Sequence, residues 1–138
     1  MKQITIKEVK YLSFRLAQEI MSFNEPIPDF STRFPNKLES CIATPFQSFS
    51  GKSFYPSFFE KASILFYLMV KNHPFQNGNK RIAMTTLFVF FHKNRKWLEV
   101  NTQELYNFII WIAQSPPKFK DETARAIEKF LKTYIVNL

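Results

Sequence analysis

The segment from Ile82 to Phe91 restricts the fold more than any other part of this chain. It is apolar on every face of the helix that its residues predict. A helix without a polar face lies at the centre of a fold, because every side of it has to be covered by other elements. A second apolar stripe, from Phe59 to Val70, precedes it and follows a capping pair, Ser57 and Glu60. We expect that second helix to end near Asn72 and to pack against the central one.

The flanking segments predict further helices. Thr5 to Glu8 has the sequence of a capping box and is followed by apolar residues at helical spacing, so a first helix is predicted from Ile6 to Met21. Asn101 caps a fourth helix, which the proline pair beginning at Pro116 ends. A last helix begins at Asp121, and its apolar face is predicted to extend through Ile135.

Two segments are predicted to be less helical. The proline-rich stretch from Asn24 to Pro45 predicts a loop with a short helical turn at Lys37 to Ala43. Phe46 to Tyr55 alternates weakly around a turn at Gly51 and Lys52, which predicts a two-stranded hairpin. No other strand-length alternation is found, so the predicted fold class is all-α, a helical bundle with a small β-hairpin flap. A length of 138 residues fits one domain, residues 1–138.

The chain is strongly basic. Nineteen Lys and Arg side chains against eleven Asp and Glu give a net charge of +8, which favours acidic or polyanionic partners: nucleotide, nucleic acid or acidic protein.

The single cysteine, Cys41, excludes an internal disulfide, and no Cys/His group has zinc-ligand spacing. The apolar runs are shorter than the ~20 residues of a membrane span, and the charged N-terminus lacks a signal-peptide core. We expect a cytoplasmic protein that does not enter the membrane.

The loop between the two most apolar helices carries the candidate chemistry. It contains one of only two glycines in the chain, at a point where the backbone has to turn sharply or approach a ligand. The helix that follows presents unpaired N–H groups and the positive end of its dipole, which together form an anion site. The candidate phosphate-binding residues are Gly78, Asn79, Lys80 and Arg81. His73, across the loop, is the candidate general base near neutral pH.

Each part of this loop also has a purely structural interpretation. An isolated His73-Pro74 ends a helix, with the imidazole against the last carbonyls. Asn77-Gly78 alone is a generic turn, and Lys80-Arg81 alone is a solvated pair. Their combination at the entrance to a buried helix favours a functional site over packing.

Residues 73–81, with the pattern His-Pro-Phe-x-x-Gly-Asn-Lys-Arg, resemble the signature of the Fic/Doc family in its death-on-curing branch. The resemblance extends from about Leu38 to Trp97 and includes the flap and the capped helix before the loop. It implies a helical fold in which His73 deprotonates a substrate hydroxyl, the turn from Gly78 to Arg81 holds nucleotide phosphates, and Phe75 is a buried anchor.

The resemblance also implies a reaction. Members of the family transfer AMP, other nucleotide fragments or, in the death-on-curing toxin, a phosphate to a target protein, which for the toxin is elongation factor EF-Tu. Typical adenylyl transferases carry glycine at the position of Lys80, whereas lysine is the choice of the toxin branch. We therefore expect phosphate transfer from ATP to a Ser or Thr hydroxyl of a protein such as EF-Tu, with AMP transfer as the alternative.

Asn77 departs from the family pattern. The family has Asp or Glu at this position, where a carboxylate binds the Mg²⁺ that bridges the phosphates. An amide oxygen is neutral and should bind this hard cation more weakly, so Asn77 is a weak metal ligand. The alternative hypothesis is a catalytically degenerate module that holds nucleotide or a partner protein without chemistry.

The flap and the regulation of the site follow from the same resemblance. The flap is interpreted as an edge that pairs with an extended target peptide, or else as a simple surface hairpin. Its residues are Phe49, Ser50, Gly51, Lys52, Ser53 and Phe54. Many members are inhibited by a Ser/Thr-x-x-x-Glu-Gly/Asn motif, which is absent from this sequence. We therefore expect inhibition by a separate antitoxin, and an acidic one would complement the basic charge of this chain. A nucleic-acid-binding domain, argued from charge alone, is a third interpretation.

Overall fold

The computed structural model describes residues 1–19 and 26–138. The helices are α1 (Ile6–Glu8), α2 (Phe14–Glu19), α3 (Pro35–Ala43), α4 (Phe58–Lys71), α5 (Asn79–Lys93), α6 (Thr102–Gln114) and α7 (Lys120–Tyr134). The strands are β1 (Ser48–Phe49), β2 (Lys52–Ser53), β3 (Lys96–Leu98) and β4 (Ile135–Asn137). Within these two ranges the strands form two short antiparallel pairs, so the predicted all-α class is confirmed.

Helix α5 lies at the centre of the core, as its apolar sequence predicted. Its residues 81–91 are all buried. Helix α4 packs along α5 on one side and against α7 on the other. Ser63 of α4 donates a hydrogen bond of 2.6 Å to the carbonyl of Ala124 in α7, which joins the C-terminal helix directly to the core pair.

The first helix begins as predicted but is not uniform. Thr5 and Glu8 form the predicted capping box, with bonds of 3.2 and 2.9 Å to each other's backbone. A π-helical segment, Val9–Ser13, follows α1 and is closed by a bond from the Phe14 amide to the Val9 carbonyl. Helix α2 then continues to Glu19. The predicted end at Met21 lies outside the described residues.

The predicted hairpin is present. Ser48 pairs with Ser53 and Phe49 with Lys52, so each strand contributes only two residues. The turn is Ser50-Gly51, one residue earlier than the sequence pattern indicated, and both residues have positive φ (52° and 78°). That backbone suits a two-residue hairpin turn, because it matches the right-handed twist of the flanking strands.

The short helical turn predicted at Lys37 to Ala43 is confirmed but is longer than predicted, and residues 24 and 25 of the predicted loop lie outside the described residues. Residues 35–43 form the full helix α3, and Pro35 occupies its first turn, where a missing N–H costs nothing. Leu38, Cys41 and Ile42 are buried on one face of that helix. The prolines in this stretch mark helix starts as well as loops.

The second strand pair was not predicted. Strand β3 pairs with β4, and Leu98 lies opposite Ile135, a residue that the helical pattern had assigned to the last helix. Helix α7 ends at Tyr134, and Ile135 adopts an extended backbone with ψ 139°. The pairing partner of Ile135 lies far away in sequence, so local periodicity could not reveal it.

No helix among residues 1–19 and 26–138 combines the length and the apolar character needed to cross a membrane.

Candidate active site

His73 stands at the junction between the two central helices. Helix α4 ends at Lys71, Asn72 caps it, and α5 begins at Asn79. The side chain of His73 is exposed, and its backbone is left-handed, with φ 47°. A non-glycine residue in that region is strained, and such strain tends to be found where function requires a particular geometry.

The side chain of Asn79 holds the loop in shape. Its Oδ1 accepts a hydrogen bond of 3.0 Å from the Phe75 amide, and its Nδ2 donates one of 2.9 Å to the Phe75 carbonyl. Nδ2 also lies 3.5 Å from Nδ1 of His73. The amide group of Asn79 thus lies directly beside the imidazole ring. The side chain of Asn79 thereby helps to position the candidate base. Asn79 is also the first residue of α5.

Phe75 is the buried anchor that the sequence predicted. It is 1% exposed, and its ring meets that of Phe14 at 4.9 Å in an edge-to-face arrangement. Phe30 lies 6.2 Å away on the same side. The neighbouring carbonyl of Pro74 accepts a bond of 2.9 Å from the amide of Phe34, just before α3. The loop is thus held from both sides by elements that come much earlier in the chain.

Gly78 begins α5 with a left-handed backbone, φ 71°. Gly78 has no side chain with which to cap the helix, and the first helical bond runs from the Ile82 amide to the Gly78 carbonyl, at 2.9 Å. The amides of Asn79 and Lys80, in the first turn, precede the first acceptor of the helix. Together with the helix dipole, they suit an anion such as phosphate.

The two predicted cations have different surroundings. Lys80 is half-buried at the start of α5. Arg81 is 6% exposed, and its guanidinium donates a hydrogen bond to the carbonyl of Ala17 in α2. Arg81 thus also links the central helix to the first one, a role that the sequence did not indicate.

Asn77 is exposed, and its Oδ1 accepts a hydrogen bond of 2.8 Å from the Gly78 amide. The loop contains no carboxylate, and the described residues hold no group of three or more His, Cys, Asp or Glu that could bind a metal. An amide oxygen already engaged by the backbone is a poor ligand for Mg²⁺, which prefers carboxylate and phosphate oxygens. The residues present do not fit a magnesium ion held by the protein itself.

The hairpin presents its tip and its aromatic side chains to solvent. Phe49 is 73% exposed and Phe54 is 59% exposed. All six predicted flap residues, 49–54, are exposed. The amide of Phe54 donates a bond of 3.1 Å to the carbonyl of Gln47 at the base of the hairpin.

Several residues that support the site were missed by the sequence analysis. Ala17 receives Arg81, Phe34 binds the loop backbone, and Ile27 lies over Gly78. None of them carries a local signal, because each acts through a partner that is distant in sequence. Only the tertiary structure shows these contacts.

Comparisons with known proteins bear on the family of this chain. A profile described as the Fic/DOC family matches residues 3–91, which is more than half of the chain. A protein of Mycolicibacterium smegmatis named Toxin Doc is 33% identical over 57 residues, which cover 41% of this chain and 44% of that relative. The chain thus matches less than half the length of this curated relative. No solved structure matches the chain. The profile match, over residues that include the whole loop from His73 to Arg81, shows that the chain belongs to the Fic/DOC family.

Proposed function

We propose that this protein is a Doc-like toxin that transfers phosphate from ATP to a Ser or Thr hydroxyl of a target protein. The observation that carries the proposal is the arrangement of the loop. An exposed histidine, next to the side-chain amide of Asn79, adjoins the N-terminus of α5, which begins at Gly78, and the side chain of Lys80. The similarity to Toxin Doc supports the toxin role.

The proposed step forms one bond to phosphorus and breaks another. The target hydroxyl loses its proton to His73, and its oxygen forms a bond to the γ-phosphorus of ATP. The bond between that phosphorus and the oxygen bridging to the β-phosphate breaks, and ADP leaves. The amides at the start of α5, with Lys80, stabilise the negative charge on the phosphates. No step is assigned to a metal, since the loop lacks a carboxylate.

AMP transfer is the second candidate reaction. Lys80 favours phosphate transfer, because the adenylyl-transferring members of the family have glycine at this position. The two reactions leave different parts of ATP on the target, so labels in the α- and γ-positions distinguish them.

The expected partners are a target protein and an antitoxin. We expect the target to be a protein of the translation machinery such as EF-Tu, and inhibition to come from an acidic antitoxin in trans, suited to a net charge of +8. Because ATP is the proposed donor, we expect the reaction in the cytoplasm. Nucleic acid is not an expected partner.

The test uses purified EF-Tu and a cell extract, each with α-labelled and γ-labelled ATP in parallel. We expect label on protein from γ-labelled ATP only, and a loss of at least about 100-fold on His73→Ala, the order of magnitude of general-base catalysis. His92→Ala is the matched control, since His92 is the other histidine and is exposed at the far end of α5. Label from α-labelled ATP would assign AMP transfer, and label from neither would refute the enzymatic proposal.

A degenerate binding module is the competing function, and Asn77 is the observation that favours it. Asn77→Asp supplies the carboxylate that the family uses for magnesium. If the wild-type chain transfers nothing and Asn77→Asp does so in the presence of Mg²⁺, the scaffold is competent and the natural protein is a binding module. If both transfer, the module hypothesis is wrong.

A further inference from the structure

Lys61, near the start of α4, is a buried charged residue outside the candidate active-site loop. Its exposed fraction is 7%, and Arg81 is the other buried charged side chain among the described residues. Burying an ammonium group is costly unless the protein supplies hydrogen-bond partners. Its position therefore calls for an explanation in terms of its contacts.

The contacts of Lys61 are at the base of the hairpin. Its Nζ donates a hydrogen bond of 3.0 Å to Oγ of Ser53, in strand β2, and another to the carbonyl of Tyr55, where the chain leaves the hairpin. The same ammonium lies 5.2 Å from the centre of the Phe46 ring, where the chain enters it. One cation thus holds both the entering and the leaving chain.

The hairpin itself is short. Each strand has two residues, and an isolated hairpin is marginally stable in water. The aromatic side chains of Phe49 and Phe54 are exposed and contribute little burial. The ammonium of Lys61 supplies charge-assisted hydrogen bonds, which are stronger than neutral ones. Phe46 and Tyr55 pack against the core at the base of the hairpin, and Lys61 adds hydrogen bonds that tie this base to α4.

We propose that Lys61 is the positioning residue of the flap, which it holds so that an extended segment of the target protein can pair with the edge of the hairpin. The pairing with a target rests on the proposed function. The positioning of the hairpin by Lys61 does not. Lys61 does not touch the reacting atoms. Its removal should change the use of the protein substrate and leave the use of ATP intact.

The first experiment needs no substrate. Lys61→Met keeps the length and the apolar stem of the side chain and removes the charge. In hydrogen–deuterium exchange of the free protein, we expect the amides of Phe54 and Tyr55 to exchange at least about tenfold faster, as the loss of a hydrogen bond to a charged group implies. Exchange in α5 should stay as in the wild type.

The matched control is Lys71→Met on the same helix. Lys71 also donates to backbone carbonyls, those of Ala113 (3.1 Å) and Ser115 (2.5 Å), at the end of α6. Its loss should affect that helix end and leave the hairpin unchanged. Should Lys61→Met fail to fold, Ser53→Ala removes one acceptor of Lys61 at an exposed residue. Since Ser53 Oγ also accepts from the Tyr55 amide, the readout is the amide of Phe54, where we expect roughly threefold faster exchange. Unchanged exchange of the hairpin, or acceleration spread evenly over the chain, would overturn the proposal.

The second experiment measures transfer to EF-Tu as the probe. We expect Lys61→Met to raise the KM for EF-Tu roughly tenfold, with kcat and the KM for ATP unchanged; exposed Lys129→Met is the control. A fall in kcat at unchanged KM for EF-Tu would overturn the role in target binding. If the wild-type protein labels no EF-Tu, the proposed function fails at that target, and the exchange experiment still decides whether Lys61 positions the flap.

Discussion

The backbone of His73 is strained, and the strain has identifiable supports. A left-handed conformation costs an ordinary residue about 1–2 kcal/mol. At His73, the bonds of Asn79 to Phe75 and of Phe34 to Pro74 hold the loop in this conformation. His73 remains exposed in this conformation.

Gly78 is the residue at which a single methyl group should matter most. A Cβ there would lie 2.8 Å from Cδ1 of Ile27 and 3.0 Å from the carbonyl oxygen of Pro26, in addition to the strain of φ 71°. We predict that Gly78→Ala lowers the free energy of unfolding by at least about 2 kcal/mol, measured by urea denaturation.

Gly51→Ala is the control for that prediction. Gly51 has a similar φ of 78°, but a Cβ there would meet nothing within 4 Å. We expect it to cost only the backbone strain, about 1 kcal/mol. Equal losses at the two positions would show that the contact of Ile27 and Pro26 with the helix start is not tight.

At the scale of elements, the start of α1 is tied to the end of α5. Glu8 completes the capping box of α1 and also forms an ion pair of 2.7 Å with Lys93. Partial burial raises the pKa of the Glu8 carboxyl, but the hydrogen bonds from Lys93 and from Thr5 outweigh it, so its pKa lies below the usual 4.5. The folded state thus favours the charged form.

This pKa shift predicts a pH dependence. A lowered pKa stabilises the fold above the unfolded value near 4.5, and the contribution is lost as the pH falls through the lower folded value. We predict that Glu8→Gln is less stable than the wild type by up to about 1 kcal/mol at pH 7, since the pair is partly screened by solvent. The difference should shrink below pH 4. A difference that stays constant from pH 7 to 3 would contradict it.

At the scale of the whole molecule, the family match ends at residue 91, but later residues also contribute to the core. Leu105, Ile109 and Ile112 of α6 and Ile127 and Leu131 of α7 belong to the same buried cluster as α4 and α5. Since the C-terminal helices complete the cover of the central helix, we infer that residues 1–138 form a single domain.

A single domain should unfold in one step. Trp97 stacks on Phe88 of α5, and Trp111 stacks on Phe108 of α6, so tryptophan fluorescence reports on the C-terminal part, whereas far-UV circular dichroism reports on all helices. We predict coincident denaturation curves from the two signals. Two separated transitions would show that the C-terminal helices form an independent unit.

Much of this fold was predictable because its signals are local. The caps at Thr5, Ser57 and Asn101 begin helices as expected, since each side chain bonds to backbone two or three residues on. The hairpin and the buried anchor Phe75 were also predicted, and the structure confirms them. Helix α3 was underestimated, because the prolines around it suggested a loop.

The sequence by itself determined the central buried helix, the loop with its histidine, glycine and cations, and the family. These features depend on residue types within a few positions of each other. Only the tertiary structure decided that Arg81 reaches Ala17, that β3 pairs with β4, and that Lys61 holds the hairpin. Arg81 and the strands have partners far along the chain. Lys61 lies only eight residues from Ser53, but its direction depends on how the hairpin folds back onto α4, and no local pattern specifies such a meeting.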